Sequence, residues 1–201
     1  MTVSLWILAS YLLGAIPTSL LAARFGAGMD LREHGSKNLG ATNVYRVLGW
    51  KYAIPVGLFD VAKGTVPVAV FGPLAGGGAW VPVALGVAAV VGHVYSVFVK
   101  FRGGKGVATA AGAVLALAPI ALGLSAIVWV LVLAVTGYVS AASMLGAVAF
   151  PIAVRFTNPE DSYTFGVGIA LAVFILATHR SNVHRLITGQ ENRFGRRRRS
   201  A

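Results

Sequence analysis

The sequence predicts an all-α polytopic membrane protein of about seven transmembrane helices, with its N-terminus outside and its C-terminus cytoplasmic. Three observations carry that prediction. Charged residues make up only 11% of the 201-residue chain and hydrophobic residues 57%, whereas a soluble domain carries about 25% charged residues to face water. Apolar runs such as TVSLWILASYLLGAIPTSLLAA, WVPVALGVAAVVGHVYSVFV and FGVGIALAVFILAT approach or reach the roughly 20 residues that cross a hydrocarbon core. Basic residues gather in blocks between the runs, and their sidedness orients the bundle.

In chain order, the expected spans are 3–23, 52–72, 79–99, 107–122, 124–138, 140–156 and 164–180. The first has no basic n-region and no evident cleavage site, so it reads as a retained helix. The second holds Asp60 and Lys63 at i and i+3, which a helix places on one face. An unpaired charge near the midplane costs several kcal/mol, so these two pair or face a polar interior, as a structural brace or as part of a functional pathway. His93 comes late in the third span, either hydrogen-bonded inside the bundle or facing a ligand at its cytoplasmic mouth. Between the fourth and fifth spans the only punctuation is Pro119 and Gly123. A single helix over 107–138 would run roughly 48 Å, too long for a core of about 30 Å, so two short spans are expected. Beside the sixth lie Tyr138, Ser140 and Ser143, where small-residue packing accounts for the serines as well as ligand contact does.

Of the 17 Lys and Arg residues, all but Lys63 and Arg155 fall in the first loop, in the loop after the third span or in the C-terminal tail. With seven spans these segments share one side, which the positive-inside rule makes cytoplasmic. The net charge of +11 fits cationic edges against anionic headgroups, so membrane lipids and not nucleic acid are the expected partners. One transmembrane domain over 1–192, with catalytic cytoplasmic loops, and a basic tail over 193–201 are expected; the oligomeric state stays open, a monomer included. Cysteine is absent, which excludes disulfides, a thiolate nucleophile and a cysteine metal site. No histidine–carboxylate cluster has ligand spacing, and no metal or other cofactor is expected.

Three cytoplasmic segments are rich in polar chemistry. The first, LREHGSKNLGATNVYRVLG (31–49), interleaves hydroxyls, amides, glycines and cations, with almost no apolar spacing for a docked helix. Ser36, Asn38, Thr42 and Asn43 offer donors and acceptors, and Lys37 and Arg46 offer charge. A connector needs only a few residues, so this loop reads as a binding or catalytic segment. The second is FRGGKGVATAAG (101–112). Gly103, Gly104 and Gly106 let backbone approach a ligand with no Cβ in the way, Lys105 adds a point charge, and a helix starting at Val107 has unpaired N–H groups at its end. Together these could cradle an anion, or the glycines could form a flexible hinge. It is no Walker A motif, because Lys105 is followed by Gly106 and no strand precedes it. In the third, THRSNVHRLITGQENRFG (178–195), His179 and Asn182 share a helix face at the lipid–water boundary, beside Arg180 and Arg185.

These segments resemble the signature blocks of the bacterial acyl-phosphate:glycerol-3-phosphate acyltransferase family. GSKNLGATNVYR (35–46) is similar to G-S-x-N-x-G-A-T-N-x-x-R throughout. GHVYSVFVKFRGGKGVAT (92–109) matches the Gly–His start and the G-G-K-G-V-A-T end, with Ser96 where proline is common. HRSNVHRLITGQE (179–191) resembles H-x-x-N-[IV]-x-R-L-x-x-G-x-E. The resemblance implies a seven-helix enzyme of the bacterial cytoplasmic membrane, its active site facing the cytoplasm. It implies transfer of a fatty acyl group from acyl phosphate to glycerol 3-phosphate, giving lysophosphatidic acid for phospholipid synthesis. By matching position, Ser36, Arg46, Lys105, His179 and Asn182 would form the catalytic and phosphate-holding set. Asn38, Thr42, Asn43, His93, Gly103, Gly104, Gly106 and Ser143 are the expected substrate-binding positions.

The residues are compatible with that chemistry. Neither an H-x-x-x-x-D dyad nor a G-x-S-x-G elbow is present, so the expected route is direct attack by the glycerol 1-hydroxyl, with a phosphate oxygen taking the proton. Lys105, Arg46 and the glycine-loop amides would stabilise the developing charge. The competing expectation is a phosphate or organic-anion transporter, which would also use glycines, cations and intramembrane polar residues. It should add a solvent path on the opposite face or an inverted repeat, and the second and fourth loops are nearly featureless.

Overall fold

The computed structural model describes residues 2–195, and every regular element in that stretch is helical. The basic tail expected over 193–201 is therefore described only as far as Gly195, and its arginine run 196–199 lies outside the described residues. Five stretches are long and apolar enough to cross a membrane: Val3–Ala27, Trp50–Ala75, Trp80–Val99, Pro119–Thr136 and Val139–Thr157. A sixth arises if Ser162–Thr178 and Arg180–Ile187, bent by 57°, count as one span. Contacts gather the chain into two compact units, Met1–Leu117 and Ala118–Ala201.

The first unit starts with α1 (Val3–Ala15) and α2 (Thr18–Ala27), interrupted at Ile16–Pro17. Pro17 has no N–H, and its ring disfavours helical backbone at the preceding residue. Ile16 accordingly leaves the helical region, at φ −56° and ψ 116°. Carbonyls just before the break lose their helical donors, and two distant side chains replace them. Ser96 Oγ donates to the Ala15 carbonyl at 2.5 Å, and Lys63 Nζ donates to the Ile16 carbonyl at 3.1 Å.

After these come α3 (Ala41–Leu48) and α4 (Trp50–Val66), which continues through a π turn at Pro67–Phe71 into α5 (Gly72–Ala75). The unit closes with α6 (Trp80–Val94) and α7 (Val107–Leu117). Backbones meet directly where α1 packs on α6, Gly92 facing the Tyr11 carbonyl, and where α4 packs on α7, Gly112 facing the Val61 carbonyl. A Cβ at either glycine would overlap that oxygen. Such close approach is how helices gain contact in a medium as apolar as their own side chains.

Helix α3 corrects the expectation of a loop without a docked helix over 31–49. Ala41, Val44, Tyr45 and Leu48 recur at i, i+3, i+4 and i+7, a narrow helical stripe among polar residues. Val44 is fully buried in a cluster with Leu20, Ala23, Leu31, Leu39, Ala53, Val56 and Val99. The polar segment is thus nailed down by apolar residues at both ends and in its middle.

The second unit contains α8 (Pro119–Thr136), α9 (Val139–Thr157), α10 (Ser162–Thr178) and α11 (Arg180–Ile187). The fourth expected span, 107–122, ends early, because Pro119 and not Gly123 sets the boundary. Ala118 is pushed out of the helical region (φ −147°, ψ 74°) and Pro119 takes the first helical position. The 11 residues of α7 rise only about 16 Å, which is why they fall short of a crossing length. Gly137, in the left-handed region at φ 73°, closes α8, and Asp161 caps α10 by accepting from the Thr164 amide at 2.9 Å.

Replacing Gly112 by Leu should therefore drive α4 and α7 apart. In purified protein, tryptophan-monitored unfolding should show Tm lower by about 5 °C or more. Gly123→Leu, where nothing lies within 4 Å of the added Cβ, should change Tm by less than about 2 °C. Equal shifts would contradict the packing described.

Candidate active site

In the first unit, the polar segment 31–49 is shaped by its own side chains. Asp30 caps a short 3₁₀ turn, Leu31–Glu33, accepting from the Arg32 amide at 3.0 Å. It also accepts from Arg32 Nε at 2.9 Å and Nη2 at 2.6 Å. That guanidinium holds the Asp30 carboxyl well below the usual carboxylate range, and Asp30 in return raises the Arg32 pKa. Asn43, buried on α3, reaches back over the turn. Its Oδ1 accepts from the Ser36 amide at 2.8 Å and its Nδ2 donates to the His34 carbonyl at 3.1 Å. Gly35 follows at φ +61°, where a Cβ would collide with Asn43 Oδ1. Lys37 also has a positive φ, 60°, a strained conformation for a residue with a side chain.

Asn43 was expected to bind substrate; its amide is instead the clamp that fixes Ser36. Ser36, Asn38, Thr42 and Arg46 remain half-buried at the segment's surface. Thr42 and Arg46, four residues apart on α3, share one face.

The glycine–lysine segment leaves α6 through a tight turn. Lys100 and Phe101 both have positive φ, 56° and 59°, and the Phe101 amide donates back to the Ser96 carbonyl at 2.8 Å. The Gly103 amide then donates to the Val94 carbonyl at 2.9 Å, and that of Gly104 to the His93 carbonyl at 3.1 Å. This corrects two expectations. The segment is neither a hinge nor a cradle built on these two amides, because both cap the end of α6.

Glycine is required at 104 by close approach: a Cβ would strike His93 Nε2 on one side and the Leu39 carbonyl on the other. The first and second polar segments therefore touch at Gly104. Gly106, at φ +84°, makes the final turn into α7.

Beneath that turn, buried charge is collected. Asp60 and Lys63 pair at 2.7 Å, as their spacing predicts, and are only 1% and 2% exposed. Thr18 Oγ1 donates to Asp60 Oδ1 at 2.7 Å, and His93 Nδ1 lies 3.7 Å from the same oxygen. His93 is buried among these groups.

The second unit builds its own polar cluster where α10 bends into α11. His179 is buried at the junction, its Nδ1 2.8 Å from the Ile175 carbonyl. A carbonyl can only accept, so Nδ1 carries a proton in this contact. Asn182, one turn on and also buried, donates from Nδ2 to Glu191 Oε1 at 2.9 Å. Ser140 Oγ donates to the same oxygen at 3.2 Å, and Arg185 Nε pairs with Glu191 Oε2 at 2.8 Å. Glu191 is thus the hub that fixes Asn182. Sequence reasoning assigned it no role, although it closes the third quoted motif. Ser143 Oγ accepts from Trp129 Nε1 at 3.3 Å, which joins α8 to α9.

A family model described as glycerol-3-phosphate acyltransferase matches residues 4–189. The glycerol-3-phosphate acyltransferase of Chlorobaculum parvum is 43% identical, over 94% of this chain and 95% of that protein. That of Geobacter sulfurreducens is also 43% identical, over 92% of this chain and 94% of its own. Among solved structures, the glycerol 3-phosphate form of PlsY (YgiH), an integral membrane glycerol 3-phosphate acyltransferase, is 38% identical. It covers 96% of each chain with a TM-score of 0.89. Its lysophosphatidic acid form is 36% identical, covering 96% of this chain and 95% of that one with a TM-score of 0.86.

Asn43→Ala removes both hydrogen bonds that hold the turn over 34–38. Hydrogen exchange followed by mass spectrometry should show amides there exchanging about tenfold faster or more, with α6 unaffected. An unchanged rate would contradict the clamp assigned to Asn43.

Proposed function

Because this chain belongs to the glycerol-3-phosphate acyltransferase family, we propose that it transfers a fatty acyl group from an acyl phosphate to the 1-hydroxyl of glycerol 3-phosphate. The products are lysophosphatidic acid and inorganic phosphate, the first acylation of phospholipid synthesis. The observation that carries this reading is the pair of forms in which the similar PlsY was solved, one with glycerol 3-phosphate and one with lysophosphatidic acid. Those two compounds differ by one acyl ester. The transporter expectation has no such support, since the family and its relatives are acyltransferases.

The proposed chemistry is a direct displacement. Oxygen 1 of the glycerol attacks the acyl carbonyl carbon, a C–O bond forms, and the bond from that carbon to the phosphate oxygen breaks. The hydroxyl proton passes to a phosphate oxygen, which balances the charge on the departing phosphate. An acyl phosphate is a mixed anhydride with a good leaving group, so no acyl-enzyme is needed, and the chain has no cysteine to form one as a thioester.

What the protein supplies is position and charge. Holding two reactants in line is worth roughly 7 kcal/mol or more, and fixed cations near a developing oxyanion add further stabilisation. Lys105, with the first-turn amides of α7, holds a phosphate. Arg46 neutralises charge on the second phosphate or on the tetrahedral oxygen. Ser36, fixed by Asn43, and the His179 ring orient the glycerol hydroxyls. Asn182 bonds the acceptor, with its amide nitrogen set by Glu191, and Asn38 and Thr42 line its approach.

The same reading completes the topology. Seven spans, the short α7 among them, put the N-terminus outside and the C-terminus in the cytoplasm of a bacterial inner membrane. The polar segments then share the cytoplasmic rim, and residues 1–192 act as one catalytic domain. The basic-residue distribution supports this arrangement. It lets the acyl chain of the donor stay in the bilayer while glycerol 3-phosphate arrives from water.

Purified protein in detergent should make lysophosphatidate from glycerol 3-phosphate and acyl phosphate, and none when acyl-CoA is the only donor. Product from acyl-CoA alone would overturn the donor assignment. Lys105→Ala should lower kcat/KM by about a hundredfold or more with Tm unchanged. Wild-type turnover in that variant would remove Lys105 from the site.

A further inference from the structure

The geometry points to a task for the buried ion pair that acyl transfer itself does not use. We infer that Asp60, Lys63 and His93 are positioning residues that hold the Gly103–Gly104–Lys105 turn and so set where Lys105 presents its charge. This rests on the reading of Lys105 as a phosphate-holding residue.

A charged pair is a costly brace. Asp60 and Lys63 are almost wholly buried, and taking two ions out of water costs several kcal/mol apiece before their attraction returns any of it. Gly92 against Tyr11 and Gly112 against Val61 brace α6 on α1 and α7 on α4 with no charge at all. Apolar packing of similar volume commonly serves as well or better. What the ion pair adds is direction. Lys63 Nζ has two fixed partners, Asp60 Oδ1 at 2.7 Å and the Ile16 carbonyl at 3.1 Å. Asp60 Oδ1 has Lys63, Thr18 Oγ1 at 2.7 Å, and His93 Nδ1 at 3.7 Å. These contacts tie α2, α4 and α6 to the break at Pro17 and leave the carboxylate one placement.

The imidazole carries that placement outward. The His93 ring meets Asp60 through Nδ1, while its Nε2 borders Gly104 so closely that a Cβ there would collide with it. The His93 carbonyl also accepts from the Gly104 amide. Lys63, His93, Gly103 and Gly104 line one small cavity together with Ile16, Pro17, Thr18, Leu39 and Ser96, with room for about one water. At 3.7 Å the imidazole borders the Asp60 carboxylate without a full hydrogen bond. The ring is therefore held by its burial between Asp60 and Gly104. Tilting it would move Gly104, and Lys105 with it.

The test is a double-mutant cycle on the full-length purified protein, with glycerol 3-phosphate and acyl phosphate as substrates. His93→Ala should lower kcat/KM about tenfold or more in the native background, and by less than about twofold when Lys105 is already Ala. A residue that merely stabilises the bundle would cost the same factor in both. His93→Gln, which keeps a polar group of similar reach, should recover most of the loss. Hydrogen exchange supplies a readout apart from turnover: amides over 101–106 should exchange faster in His93→Ala and in Asp60→Asn/Lys63→Met, which removes both charges together. If that pair of changes prevents folding, the His93 variants carry the test alone. Additive losses in the cycle, or unchanged exchange over 101–106, would overturn the inference. If the native protein makes no lysophosphatidate, the functional reading fails instead, and the exchange measurement still decides whether His93 holds the turn.

Discussion

In hydrocarbon no carbonyl and no charge can be left without a partner, and the first unit is organised around meeting that demand at a single break. Pro17 interrupts the first span and releases the carbonyls of Ala15 and Ile16. Ser96, just beyond α6, takes one and Lys63, on α4, takes the other. Lys63 is a cation in an apolar place and requires Asp60 in turn, one helical turn away. A defect in one helix thus becomes a knot that fastens three.

That knot borders the glycine turn through His93, where backbone and side chains divide the work. A Gly-Gly-Lys-Gly run suggests backbone wrapped round an anion. Here the amides of Gly103 and Gly104 terminate α6, so the glycines serve close packing against His93 and Leu39. In the proposed reaction, side chains and the start of α7 meet the ligand. The same division holds in the first segment, where Asn43 fixes the backbone and Ser36, Thr42 and Arg46 stay at the surface. It holds again in the second unit, where Glu191 fixes Asn182. Each polar segment pairs a group that can meet substrate with a buried amide or carboxylate that keeps it still.

Much of the fold could be read directly from the chain. Hydropathy placed the apolar helices, because an apolar run in this composition has no other home, and the i, i+3 spacing of Asp60 and Lys63 was enough to pair them. Helix α3 escaped notice because its stripe is only four residues wide and sits among polar neighbours. The boundary at Ala118 was misplaced because glycine is tolerated inside a helix in the membrane while the residue before proline is not. Type and motif singled out Ser36, Arg46, Lys105, His179 and Asn182 as candidates, but residue type alone does not say which polar groups have partners inside the protein. Asn43 and Ser143 do, and so do the buried His179 and Asn182. Glu191 was missed because its partners Ser140 and Asn182 are remote from it in sequence or separated by a turn.

The account's central claim is that three separated polar segments work at one face of the membrane. The absence of cysteine from the sequence makes that directly measurable. Single cysteines replacing Lys37, Arg102 and Gln190, one per segment and each at an exposed position, can be probed with a membrane-impermeant maleimide in vesicles of known orientation. All three should react in inverted vesicles and stay protected in right-side-out ones. If any one of them reacts only from the opposite side, the segments cannot form a common site and the account is wrong.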